Sequence, residues 1–296
     1  LLAACLLTAE PVVLRNVPLI SDVQAMRKLI ESLGAIVEEL DTNTLRITTR
    51  ELVASHLDPD LCRRIRASIL IAGPVLARAG SLRLPPPGGD VIGRRRLDTH
   101  ILALRALGAK VTYDRVFEIE TDGLHGANIL LDEASVTATE NAVMAAVLAK
   151  GDTHISNAAS EPHVQEVCQF LNILGAKIKG IGSNTLQISG VSHLKGGEFT
   201  IGPDLLEVVS YIGAAVVTHG EVRIRNAGVQ HLEMVNQVFH RLGIHWKVDG
   251  DDLIVPSDQS LSIASDLDGA VPEIKTNVWP AFPTDLMSIA ITVATQ

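Results

Sequence analysis

The sequence has no surplus of positive charge: 25 lysines and arginines face 34 aspartates and glutamates, a formal net charge of −9. Affinity for a phosphate backbone rests on clustered Lys and Arg, so this balance argues against a general binder of nucleic acid or of anionic membranes. Any anionic ligand must be gripped by a few local groups. Cysteine is scarce too. Cys5, Cys62 and Cys168 lie far apart, with neither a Cys-x-x-Cys pair nor a metal-ligand spacing, which points to the reducing cytoplasm and to cysteines used as small buried hydrophobes. His100, His163 and His245 share no ligand spacing, so surface or core-satisfied histidines are expected and no metal site. No apolar run reaches the roughly 20 residues that a bilayer span needs. The opening LLAACLLTAEP lacks a basic leader and a small-residue cleavage site, so it does not read as a signal peptide. What is present is ordinary globular composition: 296 residues, 47% hydrophobic and 20% charged, enough for two domains and a sizeable core.

The chain repeats itself. The stretches starting at Ala3, Ala145 and Gly213 each run through an apolar helix end, a turn, a β-rich strand ending in Asn (Asn16, Asn157, Asn226), an amphipathic helix, a Leu-Gly pair, and a strand with a hairpin return. A fourth copy lies between, and Leu107-Gly108 closes its helix as Leu33-Gly34, Leu174-Gly175 and Leu242-Gly243 close theirs. A period of roughly 70 residues exceeds solenoid repeats, so each unit is a small α/β module. The Gly after Leu suits a left-handed helix C-cap. The leading helices (SILIAGPVLA, NAVMAAVLA, SYIGAAVV, SIAITVAT) are apolar all round, which predicts burial on every side. The fold class expected is therefore α/β, with apolar helices packed inside and sheets outside. Leu1 falls inside one leading helix and Gln296 inside another, so the sequence reads as an excised piece.

The pattern breaks at residues 84–100, LPPPGGDVIGRRRLDTH. Gly88 and Gly89 permit positive φ and large swings while the prolines stiffen the approach, a combination suited to a lid over substrate. Taken alone, Gly-Gly-Asp with an arginine triplet is weak evidence, and a solvated loop is an equal alternative.

Together with MRKLIESLGA, RASILIAGPVLARAG, DEASVTATENAVMAAVLAKG, NAASEPHVQEVCQFLNILGAKI and AFPTDLMS, that loop gives a full-length resemblance to the UDP-N-acetylglucosamine 1-carboxyvinyltransferases, the enolpyruvyl transferases that open peptidoglycan precursor synthesis. The resemblance implies a two-domain inside-out α/β barrel of βαβαββ modules. The first domain would run to about Ile201 and the second, incomplete at its C-terminus, from Gly202. It also implies addition of the 3′-hydroxyl of UDP-N-acetylglucosamine to phosphoenolpyruvate and elimination of phosphate through a tetrahedral intermediate. Neither a metal nor an organic cofactor is implied; the partners are those two small molecules, in a cytoplasmic monomer without nucleic-acid or membrane contacts. Activity is expected only of the complete protein, because the family's Lys-Asn pair and further arginines for phosphoenolpyruvate would lie outside this sequence.

Residue by residue, the resemblance puts Asp90 where the family's loop delivers a catalytic side chain, usually cysteine, that protonates the methylene carbon of phosphoenolpyruvate. For Asp90 to hold its proton near neutral pH, desolvation or a neighbouring anion must outweigh Arg94, Arg95 and Arg96. A carboxylate is also a poorer nucleophile toward an epoxide than a thiolate, which predicts resistance to fosfomycin-type alkylation. Arg66 matches an arginine near the UDP-sugar, and Arg95 one that contacts anionic substrate. Arg96, Leu97, Asp98 and Thr99 fall on the nucleotide-holding segment, with Arg96 in place of the usual proline. Ser135, Val136 and Thr137 match the diphosphate-binding turn before a helix, where exposed N–H groups suit anions. Glu161 matches a family carboxylate, and Asp285 the proposed base for the sugar hydroxyl. His163 and Leu205 replace a family glutamate and arginine, and Glu133 replaces a lysine found in some members.

Read from the residues alone, blander roles stand beside these. Thr284 and Asp285 make an N-cap pair, Ser135 a turn residue, Glu161 a helix start, and Arg66 a partner for Asp58 or Asp60. Two other functions remain open: a shikimate-pathway enolpyruvyl transferase, whose Gly-Asn-Ala-Gly-Thr signature is not found here, and a non-catalytic homologue that binds UDP-sugars.

Overall fold

The same strand order recurs in all four copies of the repeat. The computed structural model describes residues 1–53, 57–89 and 96–296. The first copy comprises β1 (Val12–Arg15), α1 (Ser21–Ser32), β2 (Ile36–Asp41) and β3 (Thr44–Thr48). Helix α2 (Pro59–Arg64), a 3-10 turn (Arg66–Ile71) and α3 (Ala72–Ala79) lead into β4 (Ser81–Leu84), α4 (Asp98–Ala106), β5 (Lys110–Asp114) and β6 (Val116–Glu120). A full βαβαββ module follows: β7 (Asn128–Leu130), α5 (Val136–Ala146), β8 (Asp152–Ser156), α6 (Pro162–Ile173), β9 (Lys177–Lys179) and β10 (Thr185–Ser189), with β11 (Gly197–Thr200) after it. Then come α7 (Leu205–Val217), β12 (Val222–Ile224), α8 (Glu233–Arg241), β13 (Lys247–Asp249), β14 (Asp252–Val255) and, last, α9 (Met287–Ala294). Each copy pairs its first strand with the far strand of its hairpin, in the orders β1-β3-β2, β4-β6-β5, β8-β10-β9 and β12-β14-β13. β11 joins β1, and β7 joins β8, as a parallel fourth strand.

The recurring Asn and Leu-Gly mark the corners of this unit. Asn16, Asn157 and Asn226 all take left-handed backbone, with φ of 57°, 58° and 49°, a conformation Asn tolerates because its short amide bonds locally. The Asn16 amide donates to the Ile201 carbonyl at 2.8 Å and that of Asn157 to Leu131 at 2.9 Å, so the same residue ties each corner to the end of the added parallel strand. Gly34, Gly108, Gly175 and Gly243 are left-handed as expected, with φ of 100°, 98°, 100° and 78°.

The chain divides into two units, Leu1–Ile201 and Gly202–Gln296. In the first, three sheets present one face inward around buried helices. Helix α5 is the innermost: every residue from Ala138 to Ala146 is buried, and α3, α4 and α6 pack on it. Its alanines allow close approach, and at the α3 crossing only a glycine fits, since a Cβ on Gly73 would meet the Asn141 carbonyl oxygen at 2.5 Å. In the second unit α7, α9 and the sheet β12-β14-β13 share a core that includes Val209, Ile212, Phe239, Phe282 and Leu286. In this chain Tyr211 on α7 and Ile291 on α9 are more than half exposed: α9 packs on α7 and on the Thr284–Leu286 turn, and α7 also on β12 and β14. Among the described residues no helix is long and apolar enough to cross a membrane.

Candidate functional site

Three chain segments named by the sequence come together in the first unit: Arg66 at the start of a 3-10 turn, Arg96–Thr99 at the start of α4, and Ser135–Thr137 at the start of α5. The Arg66 guanidinium donates to the Arg96 carbonyl at 2.9 Å. Arg96 in turn pairs with Asp98, Nε to Oδ2 2.6 Å, and that carboxylate, with Asp132 and Glu133 further off, holds the exposed guanidinium above its ordinary pKa. The buried Thr99 hydroxyl donates to Asp132 at 2.6 Å, with Glu133 Oε1 3.3 Å away, joining α4 to the turn before α5. Leu97 is half-buried and occupies the cap position of α4 without a side-chain bond.

Helix α5 starts where it does because Ser135 caps it: the hydroxyl accepts from the Ala138 N–H at 3.3 Å. Thr139 one turn on donates to the Ser135 carbonyl at 2.8 Å and accepts from Ala159 N–H at 2.9 Å, which anchors the segment leading to Glu161. Thr137 faces His100 Nε2 at 3.2 Å. The starts of α4 and α5 are thus joined through Thr99–Asp132 and His100–Thr137, with Arg66 bonded at the first of them, and the backbone N–H groups of a helix start favour an anion.

Several residue-level alternatives resolve at once. Asp58 caps α2 by accepting from Asp60 and Leu61 N–H, and Asp60 pairs with Arg63, while Arg66 reaches across to the Arg96 carbonyl. Glu161 does occupy the cap position of α6, yet its side chain makes no cap bond; instead Oε2 is buried without a hydrogen-bond partner. Asp285 is not a helix cap. Pro283 precedes the 3-10 turn Thr284–Leu286, no side-chain cap bond forms, and the Asp285 carboxylate is exposed. Proline at the cap position explains it, since Thr284 and Asp285 are already inside the turn. Asp90 and Arg95 lie outside the described residues. At the foot of that loop, Gly88 is needed for a reason the sequence does not show: a Cβ there would sit 1.7 Å from the Arg63 carbonyl oxygen, and its N–H donates to the Cys62 carbonyl at 3.0 Å. Gly89 has the expected positive φ, 89°.

Sequence reasoning missed Glu140 and Asn141 inside this apolar core, and left His100 as a surface or core-satisfied histidine. Asn141 is wholly buried, and Glu140 and His100 are 7% and 3% exposed. Burial pushes the Glu140 carboxyl up to about 7, and the Glu161 carboxylate pushes in the same direction. Burial, helped by Arg66, presses His100 down to about 3. The signal was available in Thr-Glu-Asn, a polar triplet inside an otherwise apolar helix, because buried polar groups are the exception that marks a role. A groove of about 470 Å³ lined by Gly80, Gly108, Lys110, Glu120 and His125 lies in the same unit; it holds none of the predicted residues, and the convergent polar chemistry above is the better guide to a site.

The model of the family EPSP synthase (3-phosphoshikimate 1-carboxyvinyltransferase) matches residues 1–296. A UDP-N-acetylglucosamine 1-carboxyvinyltransferase from Bradyrhizobium diazoefficiens is 57% identical over 296 residues, covering 100% of this chain and 69% of that protein. This chain belongs to the UDP-N-acetylglucosamine 1-carboxyvinyltransferase family. A second member, from Treponema denticola, is 51% identical over 295 residues, again with 69% of its length covered. The fold is that of enolpyruvyl transferases. The solved structure of the enolpyruvyl transferase NikO from Streptomyces tendae superposes with a TM-score of 0.75 at 23% identity, covering 86% of this chain and 62% of that one. EPSP synthase from Acinetobacter baumannii gives 0.70 at 15% identity, covering 99% and 66%. The chain is accordingly part of a transferase and spans roughly two thirds of the length of its family members.

Proposed function

We propose that the complete protein carrying this chain transfers the enolpyruvyl group of phosphoenolpyruvate to the 3′-hydroxyl of UDP-N-acetylglucosamine. The sugar oxygen adds to C2 of phosphoenolpyruvate as a proton reaches C3; loss of that carbon's proton and of phosphate then restores the double bond. Asp285 is the base for the hydroxyl. Its carboxylate is exposed and makes no cap bond, which leaves its oxygens open to a substrate hydroxyl. Asp90 supplies the proton at C3. Arg66, Arg95, Arg96, Leu97, Asp98 and Thr99 hold the nucleotide, Ser135–Thr137 its diphosphate, and Glu161 completes the substrate contacts. No step calls for a metal or an organic cofactor. The protein acts as a cytoplasmic monomer, and its product feeds peptidoglycan synthesis.

The observation that carries this reading is the joining of Arg66, Arg96–Thr99 and the α5 turn through side-chain bonds, in a chain 57% identical to a named member of the family. The name borne by the relatives above 50% identity favours the nucleotide sugar over shikimate phosphate as acceptor. Phosphate release by the full gene product decides. Release dependent on UDP-N-acetylglucosamine supports the proposal, release dependent on shikimate 3-phosphate replaces it with the other transferase, and neither leaves a binding homologue.

A further inference from the structure

One hydrogen-bond chain beneath the α5 turn has its polarity set from end to end. Asn141 Oδ1 accepts from the Gly73 backbone N–H at 2.7 Å, and Nδ2 donates to the Ile69 carbonyl at 2.9 Å. A backbone N–H can only donate and a carbonyl can only accept, so the two bonds together fix which end of the amide is which. The second Nδ2 hydrogen is then directed at His100 Nδ1, 3.2 Å away, and Nδ1 must be the accepting nitrogen. Burial holds the His100 ring neutral, so its one proton sits on Nε2. That proton points to Thr137 Oγ1 at 3.2 Å. The Thr137 oxygen is thereby occupied as an acceptor, and its own hydrogen is left to be given elsewhere.

We propose that Asn141 and His100 are positioning residues that commit the half-buried Thr137 hydroxyl to donate a hydrogen bond to the diphosphate of the nucleotide sugar. The inference rests on the functional reading above and adds residues which that reading does not use. Asn141 also stitches together the three segments involved: it lies on α5, bonds the turn that begins at Arg66, and faces α4 through His100. With the opposite ring tautomer, Nε2 would take the threonine hydrogen and an oxygen lone pair would face the anion, so the direction of the chain decides between attraction and repulsion.

The test uses the full gene product. Imidazole ¹⁵N NMR, with the His100 signal identified by its loss in His100→Gln, is expected to show a neutral ring protonated on Nε2 at pH 7; a charged ring or an Nδ1–H form overturns the inference. Calorimetric titration with UDP-N-acetylglucosamine reads the consequence. Thr137→Val should bind roughly 10- to 100-fold more weakly, the range for a lost hydrogen bond to a charged group, while Thr137→Ser binds as wild type. In Asn141→Asp the carboxylate accepts where the amide donated and draws the ring proton to Nδ1, so affinity should fall as in Thr137→Val, with little further loss when the two are combined. If Asn141→Asp does not fold, the NMR signature and the Val/Ser pair still decide. Undiminished binding by Thr137→Val sinks this inference alone. Absence of binding by the wild type removes the functional reading and this one with it.

Discussion

Replacing Glu140 by Gln should make the folded chain more stable at neutral pH, and the gain should disappear in acid. The carboxyl is 7% exposed, and burial raises it from 4.5 to about 7 in the folded state. Between these two values the native chain keeps its proton while the unfolded chain has lost it. The native state therefore binds more protons, and stability falls as pH rises from 4.5 to 7. At about 1.4 kcal/mol per tenfold difference in acidity, the penalty above pH 7 is on the order of 3 kcal/mol. Gln keeps the shape and carries no charge, so it escapes that penalty. His100 acts in the opposite direction over part of the same range: its pKa is depressed from 6.5 to about 3, and the stability it contributes is lost as pH falls below 6.5. A single pH profile of wild type would mix the two. The difference between Glu140→Gln and wild type in urea denaturation cancels His100, and it should grow from near zero at pH 4 to about 3 kcal/mol at pH 8. A difference that stays flat across that interval would refute the assignment of a buried, proton-holding Glu140.

Other expectations follow from the same contacts. Gly73→Ala gains about 1 kcal/mol of helix propensity but places a Cβ 2.5 Å from the Asn141 carbonyl oxygen; overpacking against backbone costs about 1–3 kcal/mol, so a net loss in denaturation midpoint is expected. Ser135→Ala removes the α5 cap and should cost about 1 kcal/mol, read in the same assay. Asp285→Asn leaves no bond unmade, so stability should stay within about 0.5 kcal/mol of wild type while phosphate release by the complete protein drops about 100-fold or more; an active Asn variant would remove Asp285 as base. Asp90→Asn should likewise abolish turnover, and wild type should show no epoxide adduct at Asp90 by mass spectrometry.

Much of this was legible in the residues. The repeat was readable because its marks are local: Asn and Gly at helix and strand corners respond to their own backbone angles, and a 3.6-residue or alternating pattern reports which face is buried. The loop of 84–100 and the segments carrying Arg66, Arg96–Thr99, Ser135–Thr137 and Asp285 could be named from short motifs matched to a family. Where local signals misled, a neighbour in space or in the turn was responsible. Pro283 took the cap position from Thr284, and within this chain Tyr211 on α7 and Ile291 on α9 are more than half exposed although their helices read as buried all round.

Composition and order alone thus settled the α/β modules, their corners and the family, since these depend on residues within one element or on the succession of motifs. Tertiary structure alone decided that Gly73 and Gly88 must be glycine, that Arg66 reaches the Arg96 carbonyl, and that Asn141, His100 and Thr137 form one directed chain. Those bonds join residues 30, 41 and 37 positions apart. No periodicity within a helix or strand encodes contacts at such a range; they exist because packed helices bring the groups to hydrogen-bonding distance in an interior where water cannot substitute.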